Sequence, residues 1–410
     1  MKYAAIICEY NPFHNGHQYQ IAYIKEHHPD TKILALMSGD FTQRGAPAIV
    51  DKFTRCEMAL RGGADVVLEL PTLWATASAY DFANGAIHLL NSLGCIDYLA
   101  FGCATYDASL FNKLATILSD EPIQYQALLK EHLKNGLSFP LARQKALNQM
   151  IGEDISSYIN EPNNLLALEY LRALLETGSS IRPVVITRKG TLHNSNDYSC
   201  GFASGSAIRS ELLKPAPNMQ LLKQVLPKDS FKILNTCMKD NLLLCEDDFS
   251  HVLSYALTCA SNTQLQETDG IDHDLADRIQ NLRTSFSSWS SFCELLKTKN
   301  YTYTRISRTM THLLLSQTDK LITFAKEHNY CPYCRILGCR QSQTSIIKTL
   351  KIHSKIPIID RLSMARKLND PACTKVLSHD IFASDIYRNA QRILSNKDIL
   401  IEYQRGLTLI

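Results

Sequence analysis

The sequence predicts an α/β fold: an open parallel β-sheet with a helical insertion, followed by a mainly α-helical C-terminal domain. Short apolar runs alternate with helical periods over the first 105 residues, at the spacing that βαβ units require. Strand signals fade over about 106–180, return at 181–188 and stop beyond about Pro215. We therefore predict a sheet domain over 1–215, which contains the insertion, and a helical domain over 216–410.

Size and composition are those of an ordinary soluble protein. The chain has 410 residues, 45% hydrophobic and 20% charged, and this length favours two domains over one. No apolar run reaches the roughly 18 residues that span a bilayer, and Met1-Lys2-Tyr3 leads straight into the first strand. We therefore expect a cytoplasmic protein without a membrane association. The thirteen scattered cysteines indicate reduced core side chains.

The stretch AAIICEYNPFHNGHQYQ at residues 4–20 predicts a buried strand, a turn and the start of a helix that runs to about Glu26. His14 and His17 share one face of the first helical turn, beside unpaired backbone N–H groups and the positive end of the macrodipole. This arrangement predicts a phosphate site. The spacing H-x-x-H also occurs by chance and in zinc sites. Here it directly follows a buried strand and a turn and includes Gly16, and this context favours a ligand-binding role for the two histidines.

The following elements continue the parallel sheet. Strands are predicted at 32–37, 64–71 and 97–102, and helices at 51–61 and 80–93. In the loop SGDFTQRG at 38–45, glycines bracket a polar segment with one arginine, which is typical of a loop that closes over a ligand at a strand's carboxyl end. The fourth strand carries Gly102 at its tip.

The insertion contains two segments that are not generic helix, GLSFPLAR at 136–143 and EPNNLLALEY at 161–170. Pro162 fits the first position of a helix, so the amide of Asn163 would face whatever lies at the helix start. A plain helix cap explains this asparagine equally well.

A second phosphate site is predicted after the last strand. That strand ends at Arg188, which a doubly wound sheet places on the same rim as the first turn. The segment FASGSAIR then puts Ser204 and Ser206 at a helix start, with Arg209 one turn in. Backbone amides, hydroxyls and a guanidinium at one helix N-terminus suit a phosphate. A plain N-cap explains a serine but does not require Arg209.

The C-terminal half carries a basic segment. Residues 297–355 contain eleven lysines and arginines against two acids, interleaved with tyrosines, so the rest of the chain is net acidic. Such a bias predicts a polyanion partner. KTKNYTYTRISR at 297–308 combines cations, hydroxyls and aromatic rings, which suits a phosphate backbone with unstacked bases.

Cysteines near residue 335 leave two interpretations open. Cys331 and Cys334, with Cys339 and His328 nearby, have the spacing of half a zinc site, but a second pair at finger spacing is missing. The arginines beside Cys334 and Cys339 could contact RNA, or they could adjust the charge around cysteine ligands of a metal. We predict no metal site, and we expect a short strand at 356–359.

Several motifs resemble those of the tRNA(Met) cytidine acetate ligase family, which belongs to the nucleotidyltransferase superfamily with its H-x-G-H signature. They are EYNPFHNGH, MSGDFTQRGAPAIVDKFTR, GADVVLELP, GLSFPLAR, PNNLLALEYL, FASGSAIR, KTKNYTYTRISR, YCRILGC, KIPII and SDIY, in the family's order over nearly the whole chain. The resemblance implies a Rossmann-like nucleotidyltransferase domain. It also implies that ATP adenylates acetate, and that the acetyl group then passes to N4 of the wobble cytidine of elongator tRNA(Met).

Candidate site residues follow from these motifs. We assign His14, His17 and Arg209 to catalysis through the phosphates. The predicted ATP-binding residues, most of them implied by the resemblance, are Ile7, Cys8, Glu9, Tyr10, Asn11, Pro12, Phe13, His14, Asn15, Gly16, His17, Gln18, Tyr19, Gln20, Gly102, Asn163, Arg188, Ser204 and Ser206. The predicted tRNA-binding residues are Lys297, Lys299, Tyr301, Arg305, Arg308 and Arg335.

The expected substrates are ATP, acetate and elongator tRNA(Met), with no obligate protein partner. Magnesium accompanying the pyrophosphate is compatible with this chemistry, although no residue pair marks a site for it. The chain departs from the family at three places: Cys103-Ala104 stands for Ser-Glu, Asn300 for an arginine, and Leu192-His193 for Tyr-His.

Two other functions fit parts of the sequence. A nucleotidyltransferase that adenylates a phosphorylated coenzyme precursor would need only the sheet domain, so the large basic C-terminal part counts against it. An RNA-binding or assembly protein on an inactive nucleotidyltransferase scaffold would not need His14, His17 and Arg209 intact.

Overall fold

The computed structural model describes residues 1–187, 201–365 and 368–410. Its strands are β1 (Lys2–Cys8), β2 (Thr31–Ser38), β3 (Phe41–Thr42), β4 (Ala46–Pro47), β5 (Val66–Leu70), β6 (Tyr98–Cys103), β7 (Arg182–Thr187), β8 (Cys334–Cys339), β9 (Ile358–Ile359) and β10 (Thr408–Leu409). Its helices are α1 (Asn15–His27), α2 (Lys52–Arg61), α3 (Thr72–Ala75), α4 (Ala79–Leu93), α5 (Ala108–Asp120), α6 (Ile123–Lys134), α7 (Phe139–Ile151), α8 (Ser156–Ile159), α9 (Pro162–Glu176), α10 (Gly205–Leu212), α11 (Met219–Val225), α12 (Lys228–Lys239), α13 (Ser250–Cys259), α14 (Asn262–Gln266), α15 (His273–Leu282), α16 (Trp289–Leu296), α17 (Tyr303–Leu314), α18 (Asp319–Glu327), α19 (Ser345–His353), α20 (Leu362–Ala365) and α21 (Pro371–Ser395).

The predicted α/β fold is confirmed, and its sheet is mostly parallel. The strand order is β10-β8-β5-β2-β1-β6-β7, with β9 paired to β8. Strands β1, β2, β5, β6 and β7 pair in parallel, each within two residues of its predicted position. The first helix and the short strand near residue 358 also lie where the sequence predicts them.

β1 lies at the centre of this sheet and is buried on both faces. Tyr3, Ala5 and Ile7 pack into the hydrophobic cluster under α4, α5 and α9. Ala4 and Ile6 face the opposite cluster, which α1, α2 and α10 complete. The alternation follows from the two-residue period of a strand, and it explains why the run contains no polar residue.

A third hydrophobic cluster lies among helices α13 to α17 and α21 in the C-terminal part. Phe41 of β3 belongs to this cluster, with its ring 5.7 Å from Phe249 and 6.0 Å from Tyr387. The loop after β2 is therefore packed into the C-terminal helices. No helix in the described residues is both long and apolar enough to cross a bilayer.

The statement that sheet signals end near Pro215 is wrong. β8 pairs antiparallel with β5 and parallel with β9 and β10, so three C-terminal strands extend the sheet. The division into domains at 1–215 and 216–410 stays a prediction.

Arg335 of β8 corrects a second prediction, because it cannot be an exposed RNA contact. Its side chain is 5% exposed and pairs with Glu69 at 3.2 Å and with Glu402 at 2.6 Å. Lys52 pairs with the same two carboxylates, and its ammonium donates to Ser384. This buried cluster of two cations and two anions joins α2, β5 and β8 to the C-terminal end of the chain.

Glu402→Gln should lower the free energy of unfolding at pH 7 by about 3–5 kcal/mol, because it leaves buried cations with one carboxylate too few. Burial raises the pKa of Glu402, but Lys52 and Arg335 outweigh burial and hold the pKa well below its usual range. The stability that this carboxylate contributes is therefore complete above the unfolded-state pKa of about 4.3 and is lost as the pH falls below it.

Thermal unfolding of wild type and Glu402→Gln at pH 7 and near pH 4 checks this prediction. The difference between the two proteins should shrink at the lower pH. Glu294→Gln is the matched control, because Glu294 is exposed and pairs only at the surface with Lys297. A difference that widens on acidification would contradict the assignment.

Candidate active site

The first turn of α1 holds the two predicted histidines in a fixed arrangement. His14 is the N-cap, and its Nδ1 accepts a hydrogen bond from the backbone N–H of Gly16 at 3.1 Å. The backbone N–H of His14 donates to Nδ1 of His17 at 3.3 Å. These two bonds cap the helix. The two rings stack with their centroids 3.7 Å apart, so both imidazoles lie on the same face of the first helical turn.

These hydrogen bonds set the tautomer of each histidine. A backbone N–H can only donate, so both Nδ1 atoms must be unprotonated acceptors, and the proton of each neutral imidazole lies on Nε2. His14 and His17 therefore present Nε2–H donors at the helix N-terminus, where the backbone N–H groups of Gly16, His17 and Gln18 already bond to His14. An anion with several oxygens suits this set of donors.

The second predicted phosphate site lies against the first. The guanidinium of Arg209 on α10 donates to the carbonyl oxygen of Asn11 at 2.7 Å, and Ser204 caps the helix by accepting from Ala207 N–H. Burial lowers the pKa of Arg209, Glu9 opposes that shift, and Arg44 adds to it. No carboxylate of the described residues pairs with Arg209 within ion-pair distance, so a phosphate would stabilise this desolvated cation.

A cavity of about 350 Å³ lies at this junction. It brings together most of the predicted nucleotide-binding residues. Those that line it are Ile7, Cys8, Glu9, Tyr10, Asn11, His14, Gly16, His17, Tyr19, Gln20, Gly102, Asn163, Ser204, Ser206 and Arg209. The sequence therefore identified the strand ends and helix starts that surround one cavity.

Four predicted residues lie outside the cavity lining. Pro12 and Phe13 are buried, and the ring of Phe13 packs against Gly62 at the end of α2. The side chain of Asn15 donates to the carbonyl oxygens of Gly201 and Gln224, and Gln18 is exposed. These residues shape or anchor the turn instead. Arg188 lies outside the described residues.

Asn164 fixes the loop after β6. Its Oδ1 accepts from the backbone N–H of Ala104 at 2.8 Å and from Cys103 Sγ at 2.9 Å, and its Nδ2 donates to Thr105. The side chain is fully buried. These bonds hold the loop that joins Gly102 to Thr105 against the start of α9, where Gly102 and Asn163 line the cavity. Pro162 occupies the first helical turn as predicted.

Arg55 of α2 holds the ends of β1 and β2 together. Its buried guanidinium donates to the carbonyl oxygens of Glu9, Ser38 and Gly39. The Arg55 guanidinium therefore satisfies the backbone carbonyl groups at the carboxyl ends of β1 and β2, next to the cavity. No local pattern in the sequence indicates this role.

The loop between β2 and α2 covers one side of the cavity and contributes Thr42, Gln43, Arg44 and Ala46 to its lining. The backbone N–H of Gln43 donates to Glu9 Oε1 at 3.0 Å. The carbonyl oxygen of Gly45 accepts from the hydroxyl of Ser307 on α17. This loop between β2 and α2, the cavity loop, thus contacts the basic segment directly. Arg44 of the cavity loop lines the cavity and is exposed to solvent.

Gly45→Ala should lower the free energy of unfolding by about 3 kcal/mol or more, through backbone strain and overpacking. Gly45 has φ +71°, and an added Cβ would collide with the backbone of Ser307 and Arg308. Gly136→Ala is the matched control, because Gly136 has φ +76° and open space around it, so strain alone should cost about 1 kcal/mol. Equal melting temperatures for the two variants would contradict a close contact between loop and helix.

The predicted RNA-binding residues lie around the start of α17. Lys297 and Lys299 are exposed. Arg305 pairs with Asp272 at 2.7 Å and stacks over the ring of Tyr301 at 4.7 Å. Burial lowers the pKa of Arg308, and its guanidinium has no hydrogen bond or ion pair within the part of the chain that the structure describes. Except for Arg335, these residues lie within 297–308, and Ser307 of the same segment bonds to the carbonyl oxygen of Gly45 in the loop.

Sequence reasoning missed the apolar and aromatic part of the cavity. It is lined by Ala79, Phe82, Phe101, Leu165, Leu166 and Tyr170. Nothing in a helical or strand pattern distinguishes these residues from core residues. No group of three metal-ligating side chains was found among residues 1–187, 201–365 and 368–410.

Comparisons with known proteins show the family of this chain. The profile of the HIGH Nucleotidyl Transferase family matches residues 1–399. A protein of Thermoanaerobacter sp. (strain X514) named tRNA(Met) cytidine acetate ligase is 38% identical over 390 residues, which cover 94% of this chain and 95% of the relative. This chain belongs to the tRNA(Met) cytidine acetate ligase family. Another member of the family, from Clostridium novyi (strain NT), is 36% identical over 90% of this chain and 92% of its own.

Solved structures of a Thermotoga maritima protein, TmcAL, have the same fold. The apo form matches with a TM-score of 0.92, and the form bound with alpha-thio ATP matches with 0.90. In both forms the Thermotoga protein is 30% identical in sequence to this ligase-family chain, and each alignment covers 100% of both chains. The family similarity therefore extends over the helical part as well as the sheet.

Proposed function

We propose that this protein uses ATP to activate acetate as acetyl-adenylate and transfers the acetyl group to N4 of the wobble cytidine of elongator tRNA(Met). The observation that supports this proposal most directly is a single cavity lined by His14 and His17 of α1 and by Arg209 of α10. The loop on one side of this cavity contacts the basic segment at Ser307. Relatives named for this activity at 34–38% identity support the same reaction. We place the reaction in the cytoplasm, where both ATP and tRNA are found.

The first step is a displacement at the α-phosphorus. A carboxylate oxygen of acetate forms a bond to phosphorus while the bond to pyrophosphate breaks, so no base is needed. The protein supplies position and charge stabilisation. The Nε2–H groups of His14 and His17 and the guanidinium of Arg209 would donate to the oxygens of the departing pyrophosphate. Magnesium, if it accompanies the nucleotide, takes most of its ligands from phosphates and water.

The second step transfers the acetyl group to RNA. The cytosine amine attacks the acetyl carbon, AMP leaves, and the amine loses a proton. The mixed anhydride would hydrolyse in water, so it must stay enclosed until the base arrives. We propose that residues 1–215 carry out the chemistry and that residues 216–410 dock the tRNA. A wobble base turned out of its stack would reach the cavity past Arg44.

One assay tests the proposed function. The purified chain is given labelled acetate, ATP and either elongator tRNA(Met), the same tRNA with its wobble cytidine changed to uridine, or initiator tRNA(Met). We expect N4-acetylcytidine only in digests of the first tRNA. Label that requires no ATP, or acetate-independent adenylation of a phosphorylated small molecule, would overturn the proposal.

A further inference from the structure

The cavity has two sides, which the strand order separates. The phosphate-binding helices α1 and α10 follow β1 and β7, and Gly102 ends β6, so the candidate nucleotide contacts lie at β1 and on its β6 side. Residues on the other side follow β2 and β5: Thr42, Gln43 and Arg44 from the loop, and Ala79 and Phe82 from α4. Phe82, from the β2 and β5 side, shares the cavity lining with Leu166 and Tyr170 of α9, and this apolar part of the cavity is available to a second substrate.

Tyr170 lines this cavity, and its hydroxyl has no hydrogen-bond partner among the described residues. The residue lies on α9, which packs against α4 and β6, and it is only 4% exposed. Its ring packs against Phe101 with centroids 5.5 Å apart, and it lines the cavity. Within the described residues, no group accepts from or donates to its hydroxyl. A hydroxyl that lines a cavity and has no protein partner there can bind a ligand that supplies one.

The surroundings of this hydroxyl define the ligand. Burial raises the pKa of Tyr170, and the proximity of Cys8 and Glu9 raises it further, so the group stays protonated and can donate. Cys8 ends β1, directly before the phosphate-binding turn. Phe82 and Leu166 provide apolar walls. The carboxylate of Glu9 accepts from Gln43 N–H. Its attraction to Arg209, which raises the pKa of Arg209, offsets part of the negative charge that a second carboxylate would meet.

We propose that the Tyr170 hydroxyl donates a hydrogen bond to a carboxylate oxygen of a small aliphatic acid, whose methyl group rests against Phe82 and Leu166. This inference rests on the proposed function and identifies the acetate subsite. The other carboxylate oxygen then faces the α-phosphorus at the turn after β1. The cytosine, which is larger and arrives later, approaches from the exposed side at Arg44.

The test compares Tyr170→Phe with wild type in acetate-dependent exchange between ATP and pyrophosphate. The variant keeps the ring and its packing on Phe101. We expect the KM for acetate to rise about tenfold while the KM for ATP stays within about twofold, because only one substrate loses a hydrogen bond. Tyr125→Phe is the matched control: Tyr125 is equally buried but lies on α6, outside the cavity lining.

Each outcome decides the inference. An unchanged KM for acetate in Tyr170→Phe, or an equal rise in the KM for ATP, would overturn the subsite. A similar rise in Tyr125→Phe would show a general effect of removing a buried hydroxyl. If wild type shows no exchange with acetate but does with another acid, the proposed function fails independently of Tyr170.

Discussion

Changing His17 to asparagine should lower the rate of acetate-dependent exchange between ATP and pyrophosphate by about 10²- to 10³-fold. The asparagine Oδ1 can take the place of Nδ1 and still accept from the backbone N–H of His14. The Nε2–H donor is lost, because the shorter side chain does not reach its position. The variant therefore separates the helix-capping role of the ring from its role toward the phosphates.

His14→Asn makes the same test at the N-cap, where asparagine is a favoured residue. Both variants should unfold at temperatures close to that of wild type. His27→Asn on the same helix is the control, since His27 is exposed at the far end of α1. Exchange by His14→Asn and His17→Asn within about tenfold of wild type would exclude the imidazoles from the chemistry.

The sequence predicted the part of the cavity lining around α1 and α10 because that part is built from local patterns. A buried strand, a turn and a helix start follow one another within residues 4–20, and FASGSAIR carries its own helix start and Arg209. Parallel strands then bring such segments to one rim. Predicting these residues required only the order of the elements and the direction of the strands.

The remaining site residues depend on contacts between distant parts of the chain. Arg335 occurs in a cysteine-rich string that resembles a ligand cluster, and only its partners Glu69 and Glu402 show that it is buried. Tyr170 occupies an apolar position of a helix and reads as a core residue. Gly45 is in a glycine-bracketed loop, but its neighbour Ser307 is 262 residues away. A local pattern contains no information about such pairs.

Reversing the charges of Lys297, Lys299 and Arg305 should reduce acetylation of tRNA by about 10²-fold or more near 0.1 M salt, while exchange stays within about twofold of wild type. Each lost contact between a cation and a tRNA phosphate removes the release of about one counterion. The slope of the logarithm of tRNA affinity against the logarithm of salt concentration should therefore become less steep by about 3. None of the three side chains lines the cavity. The adenylation of acetate should therefore proceed without them.

A control variant with Lys113, Lys130 and Lys134 changed to glutamate carries the same change in net charge on the exposed face of α5 and α6. It should acetylate tRNA nearly as well as wild type, because its lysines lie in the insertion and not beside the cavity loop. Loss of both exchange and acetylation in the first variant would contradict the proposed division between the sheet and helical parts. Equal losses of acetylation in the two variants would show that only the total charge matters, and that the surface around α17 does not dock the tRNA.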